Sequence, residues 1–222
     1  MTVKDELLEE TPFGGIRAKT LETVSRKEFT PKQIKAIFDG FDSGFSYETE
    51  VERMGAGRKR ERTVSTIQFE PMHKAQLKTL LTLCCWTGCR GQDGCLMEWG
   101  AVDFPGNRIS YVPTKTARKS RGRSVTLPIH PDLRAELLAA RQWAADNAHG
   151  EDYIIPAIAA RYKTNPTGVQ KDVMQIIRCA TGLETTARKT PGRRKLAANA
   201  YSLHSFRHSF VSFCANSGVP LA

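Results

Sequence analysis

The chain has 222 residues, 40% of them hydrophobic and 25% charged, enough for a soluble globular domain with a sizeable core. Lys and Arg number 33 against 23 Asp and Glu, a formal net charge of +10 that favours an anionic partner: nucleic acid, an acidic protein or a lipid surface. No apolar run is long enough for a membrane span, and the N-terminus lacks the apolar core of a signal peptide, so a cytoplasmic protein is expected.

Residues 1–28 mix charges with Pro12, Gly14 and Gly15 and read as a linker or N-terminal extension. A helix starts next: Thr30 caps, Pro31 takes the first helical position, and Gln33 sits three residues after the cap. Ile34, Ile37, Phe38 and Phe41 give it one apolar stripe. Residues 42–72, with Gly55, Gly57 and the basic run Arg58-Lys59-Arg60-Glu61-Arg62, read as a flexible insertion. A helix from about His73 to Trp86 buries Leu77, Leu80, Leu81 and Cys84, stops at Gly88, and is followed by a short helix from Arg90 through Met97. Two short strands follow, one with Ile109, Tyr111 and Pro113 alternating, the other from Arg123 to Ile129. Helices are expected from Pro131 to about Asp146, from Pro166 to Ala180 and from Leu203 to Ser217, where Gly218 and Pro220 terminate the last. The fold class is therefore α+β, mainly α-helical, with a small antiparallel sheet or hairpin.

Three short segments carry chemistry. On the last helix, His204 and Arg207 are three apart and point the same way. Arg binds two phosphate oxygens with its planar fork, and His exchanges a proton near neutral pH. The same pair also suits the polar rim of an amphipathic helix. In Thr87-Gly88-Cys89-Arg90 an Arg follows a Gly turn at a helix start, a place suited to an anion or simply to a surface Arg after a helix cap. Lys115-Thr116 lies in a basic loop with Arg118, Lys119, Arg121 and Arg123, where a Lys can protonate a leaving oxygen or merely be solvated. The six cysteines form no C-x-x-C pair. They read as buried free thiols, with a zinc site disfavoured because no second ligand pair has suitable spacing.

Taken in order, these motifs resemble the tyrosine recombinase (phage integrase) family. That family runs T-G-x-R with an acidic residue three after the Arg, then a strand and a K-T hairpin, then H-x-x-R-H on a helix. The chain reads Thr87-Gly88-Cys89-Arg90 with Asp93, then Thr114-Lys115-Thr116, then His204-Ser205-Phe206-Arg207-His208. The resemblance covers residues 29–222 as a catalytic domain. It implies that Arg90 and Arg207 clamp the scissile phosphate, Lys115 acts as general acid, His204 contacts the phosphate and assists proton transfer, and Asp93 buttresses Arg90.

It further implies DNA strand cleavage and rejoining through a 3′-phosphotyrosyl link, without metal or cofactor, by a protein that forms a tetramer on double-stranded DNA. The family places its nucleophilic Tyr beyond H-x-x-R, and no Tyr or Trp follows Arg207 here. The expectation is thus a catalytic domain truncated before that Tyr. The alternative is a non-catalytic DNA-binding protein, a decayed recombinase or accessory factor. Lys119, Arg121 and Arg123, with Arg188, Lys189, Arg193 and Arg194 in the basic Gly/Pro loop, are expected to touch the DNA backbone.

Overall fold

Helix ends set the frame of this domain. The computed structural model describes residues 26–54, 60–147, 152–186 and 199–218. Helix α1 runs Pro31–Ser43. It starts where the sequence places it: Gln33 N donates to Thr30 Oγ1 (3.3 Å), and Thr30 N donates to Gln33 Oε1 (2.9 Å). Its buried side chains are Ile37 and Phe41.

The next segment corrects the sequence reading. In place of a flexible insertion over 42–72, strands β1 (Phe45–Met54) and β2 (Arg60–Phe69) pair antiparallel, from Phe45↔Phe69 to Met54↔Arg60. The cause is a period of two. Phe45 and Tyr47 turn toward the helices, whereas Ser46, Glu48 and Glu50 face solvent. Phe45 is buried edge-on against Phe41 at 5.1 Å, and Arg178 lies over the Tyr47 ring at 5.4 Å. Gly40 makes room for this anchor, because a Cβ there would stand 2.4 Å from Phe45 Cε1.

Helix α2 (Lys74–Thr87) is the centre of the core. Leu77, Leu80, Leu81 and Leu83 are fully buried, each contributing about 1.5–3 kcal/mol by leaving water. It stops at Gly88 in the left-handed region (φ 59°), and the short helix α3 follows at Gly91–Cys95. A three-stranded antiparallel sheet comes next, with β3 (Val102–Asp103), β4 (Arg108–Tyr111) and β5 (Val125–Pro128) in that spatial order. Two strands are expected from the sequence. The third, β3, has two residues, too few to show a period.

Helices α4 (Pro131–Asp146) and α6 (Pro166–Thr181) agree with expectation to within a residue or so. Helix α5 (Pro156–Thr164) adds a segment the sequence reading left unassigned. Helix α7 (Leu203–Asn216) packs along α2, which also meets α1, α4 and α5. The result is a mainly helical α+β domain with two small antiparallel sheets. Among the described residues no helix is long and apolar enough to cross a membrane.

Candidate phosphate-binding site

The site forms where α7 crosses the end of α2. Ser202 opens α7 with a capping box shared with Ser205. Leu203 and Phe206 then point into the core, with Phe206 fully buried against Phe29. This orientation leaves His204 and Arg207 on the neighbouring face, both half-buried.

Arg207 is fixed from across the fold: its Nη1 donates to the Gly88 carbonyl. The left-handed turn at Gly88 is therefore both the stop of α2 and a support for a guanidinium. Phe210, one turn along α7, closes over the same glycine, and a Cβ on Gly88 would lie 2.4 Å from its Cδ1. Two residues on, Arg90 is half-buried at the N-cap of α3.

His204 reports how close these groups are. Its pKa is lowered from 6.5 to about 4, first by burial and then by the positive fields of Arg26, His208, Arg207 and Arg90. Its ring also meets that of His208 edge-on, with centroids 4.9 Å apart. These fields place Arg90 and Arg207 in the neighbourhood of His204, together with Arg26 and His208. His208 was legible as the neighbour four residues after His204. Arg26 carries no motif signal.

Lys115 stands in a 3-10 turn, Thr114–Thr116, with an exposed side chain. Among the described residues its ammonium makes no hydrogen bond or ion pair. Its tie to the site is indirect, because Thr114 N donates to Asp93 Oδ1 at 3.0 Å. The Asp93 carboxylate, only 8% exposed, holds the Lys115 turn and makes no hydrogen bond to Arg90. Among the described residues its other oxygen, the buried Oδ2, has no hydrogen-bond partner.

Lys119, Arg121 and Arg123 are exposed in the turn that follows. Arg188, Lys189, Arg193 and Arg194 lie outside the described residues. Beneath the turn at Gly88, Cys84 and Cys89 are buried with their sulfurs 3.8 Å apart. Among the described residues no group of three or more His, Cys, Asp or Glu side chains converges to hold a metal ion.

Two guanidiniums and a neutral imidazole on one partly buried surface suit a phosphate oxyanion. The model of the phage integrase family matches residues 60–222, which include Arg90, Lys115, His204 and Arg207. The chain belongs to the phage integrase family, whose members are site-specific tyrosine recombinases. No curated protein and no solved structure matches it.

Proposed function

We propose that residues 29–222 form the strand-transfer domain of a site-specific DNA recombinase and that Arg90, Arg207, His204 and Lys115 act on the scissile phosphate. The supporting observation is the convergence of Arg90, Arg207 and His204 at the crossing of α2 and α7. The domain starts at Phe29, whose ring is buried against Phe206 and Tyr201.

Attack on the phosphorus places extra negative charge on the non-bridging oxygens. Arg90 and Arg207 stabilise that charge, and the pinned Arg207 needs little reorganisation to do so. His204, neutral at pH 7, accepts a proton from the attacking hydroxyl or donates its ring N–H to the phosphate. Lys115, on its exposed turn, gives a proton to the departing 5′ oxygen. In the family's reaction a tyrosine oxygen takes the phosphorus, so the energy of the broken bond is kept in a 3′-phosphotyrosyl link. The reaction draws on no metal or high-energy cofactor. Lys119, Arg121 and Arg123 add contacts to the duplex backbone, and the working species is a tetramer on DNA in the cytoplasm.

The test uses duplex binding and cleavage together. Arg90→Ala and Arg207→Ala should each weaken duplex binding and lower its salt dependence. On a nicked duplex with hydroperoxide supplied as an external nucleophile, cleavage should require both arginines and Lys115. A 5′-bridging sulfur, whose thiolate leaves without a proton, should restore cleavage to Lys115→Ala alone. Binding that depends on the arginines with no cleavage under these conditions would favour a non-catalytic DNA-binding role. Binding indifferent to both arginines would overturn the site.

A further inference from the structure

We propose that Thr87 is a positioning residue for Arg207: its hydroxyl fixes one end of a single peptide group whose other end holds the guanidinium. The proposal rests on the reading of Arg207 as a clamp on a DNA phosphate. Thr87 is only 3% exposed, so it acts on DNA through another side chain.

The peptide between Gly88 and Cys89 is the centre of the arrangement. Its carbonyl oxygen, on Gly88, accepts Arg207 Nη1. Its N–H, on Cys89, donates to Thr87 Oγ1 at 3.2 Å in a buried bond. The N–H and the carbonyl of one peptide lie in one rigid plane and point in opposite directions. Holding the N–H therefore aims the carbonyl. The hydroxyl is itself fixed, because Thr87 Oγ1 donates to the Leu83 carbonyl at 2.7 Å in the last turn of α2. The bonds run head to tail, from guanidinium to Gly88 carbonyl, from Cys89 N–H to hydroxyl, and from hydroxyl to Leu83 carbonyl. In such a chain each bond polarises the next, which strengthens the hold on Arg207.

The turn needs this second hold. Gly88 sits at φ 59°, and its own N–H returns to the Cys84 carbonyl at 3.1 Å. That bond closes the helix and leaves the rotation of the following peptide to other contacts. Glycine, without a Cβ, gives that rotation a wide range, and the Thr87 hydroxyl narrows it.

A second threonine of α2 offers the comparison. Thr82 Oγ1 also donates to a carbonyl four residues back, that of Lys78, at 2.9 Å. Among the described residues it accepts no backbone N–H. Thr87 differs by the N–H it receives from beyond the turn.

The experiment measures duplex affinity for Thr87→Val, Thr87→Ser, Arg207→Ala and the double variant Thr87→Val with Arg207→Ala, with Thr82→Val as control. Valine keeps the shape of threonine and removes the hydroxyl. Thr87→Val should weaken binding about fivefold, the worth of one hydrogen bond, and Thr87→Ser should restore it. On the Arg207→Ala background Thr87→Val should cost nothing further, because the group it positions is gone. Thr82→Val should leave affinity unchanged. Where Thr87→Val does not unfold cooperatively, Thr87→Ala removes the same hydroxyl and takes its place in the cycle. Losses that multiply in the double variant, an equal loss in Thr82→Val, or no recovery in Thr87→Ser would overturn the role of Thr87 and leave the site standing. So would full affinity in Thr87→Val while Arg207→Ala is impaired. If Arg207→Ala itself is unimpaired, the reading of the site falls, and this proposal with it.

Discussion

Asp93 Oδ1 accepts the backbone N–H of Thr114 at 3.0 Å, which ties the helix that follows Arg90 to the turn that carries Lys115. A carboxylate from one segment thus sets where an ammonium from another begins its reach. Asp93→Ala should remove the tie and leave the Thr114 N–H without this partner, at a cost of about 1–3 kcal/mol. Amide exchange at Thr114 should quicken, and cleavage should fall for a normal 5′ oxygen leaving group yet recover with a 5′-bridging sulfur. Loss of cleavage with both leaving groups would place the role of Asp93 at Arg90 instead.

His204 gives a pH prediction with a definite sign. Its pKa is about 4 in the folded chain against an ordinary 6.5, so the unfolded chain takes up this proton first as pH falls. The contribution of this site to stability is complete above 6.5 and is lost as pH falls from 6.5 towards 4. A bound phosphodiester offsets the surrounding positive charge and raises the His204 pKa. Duplex binding should therefore take up a proton between about pH 4 and 6.5 and strengthen as pH falls through that window. NMR titration of the His204 ring with and without duplex measures both effects, and His204→Gln should flatten the pH dependence of binding.

Gly88 joins stability to the site. Gly88→Ala would place a Cβ in the left-handed region at φ 59° and 2.4 Å from Phe210 Cδ1. It should cost about 1–3 kcal/mol through overpacking and shift the carbonyl that holds Arg207. Gly182→Ala is the control. It has φ 68° and open space around it, so only the backbone cost of about 1–2 kcal/mol applies. Denaturant unfolding and duplex affinity should both fall for Gly88→Ala, whereas affinity should survive in Gly182→Ala.

The thiols should divide into two classes. Cys84, Cys89 and Cys95 are buried, and burial raises the Cys95 thiol. Cys179 and Cys214 are partly exposed. Brief alkylation of the native protein, followed by mass spectrometry, should mark Cys179 and Cys214 and spare those three together with Cys85, whose thiol burial pushes up to about 12.

Local signals made much of this fold legible. Thr30, Pro31 and Gln33 define the start of α1, and Gly88 defines the stop of α2, because caps act within a few residues. The hairpin reads as flexible chain although its signal is present. Phe45, Tyr47 and Val51 alternate with Ser46, Glu48 and Glu50, but the glycines and the basic run after them read as flexible chain. Nine-residue α5 is short enough for its apolar run to fit helix or strand.

The site divides in the same way. His204 and Arg207 are legible because three residues on a helix share a face. The partner of Asp93 and the place of Lys27 depend on contacts to Thr114 and Ala200, far along the chain, which no local pattern encodes.

The crossing of α7 over α2 also sets when the site comes into being during synthesis. Arg90 and Lys115 leave the ribosome well before His204 and Arg207. At about 5–20 residues per second the interval is on the order of ten seconds. Throughout it the Gly88 carbonyl lacks its guanidinium and α2 lies without its main cover. The nascent chain is basic but has no assembled cluster, so the proposed grip on phosphate would arise only when α7 closes the core.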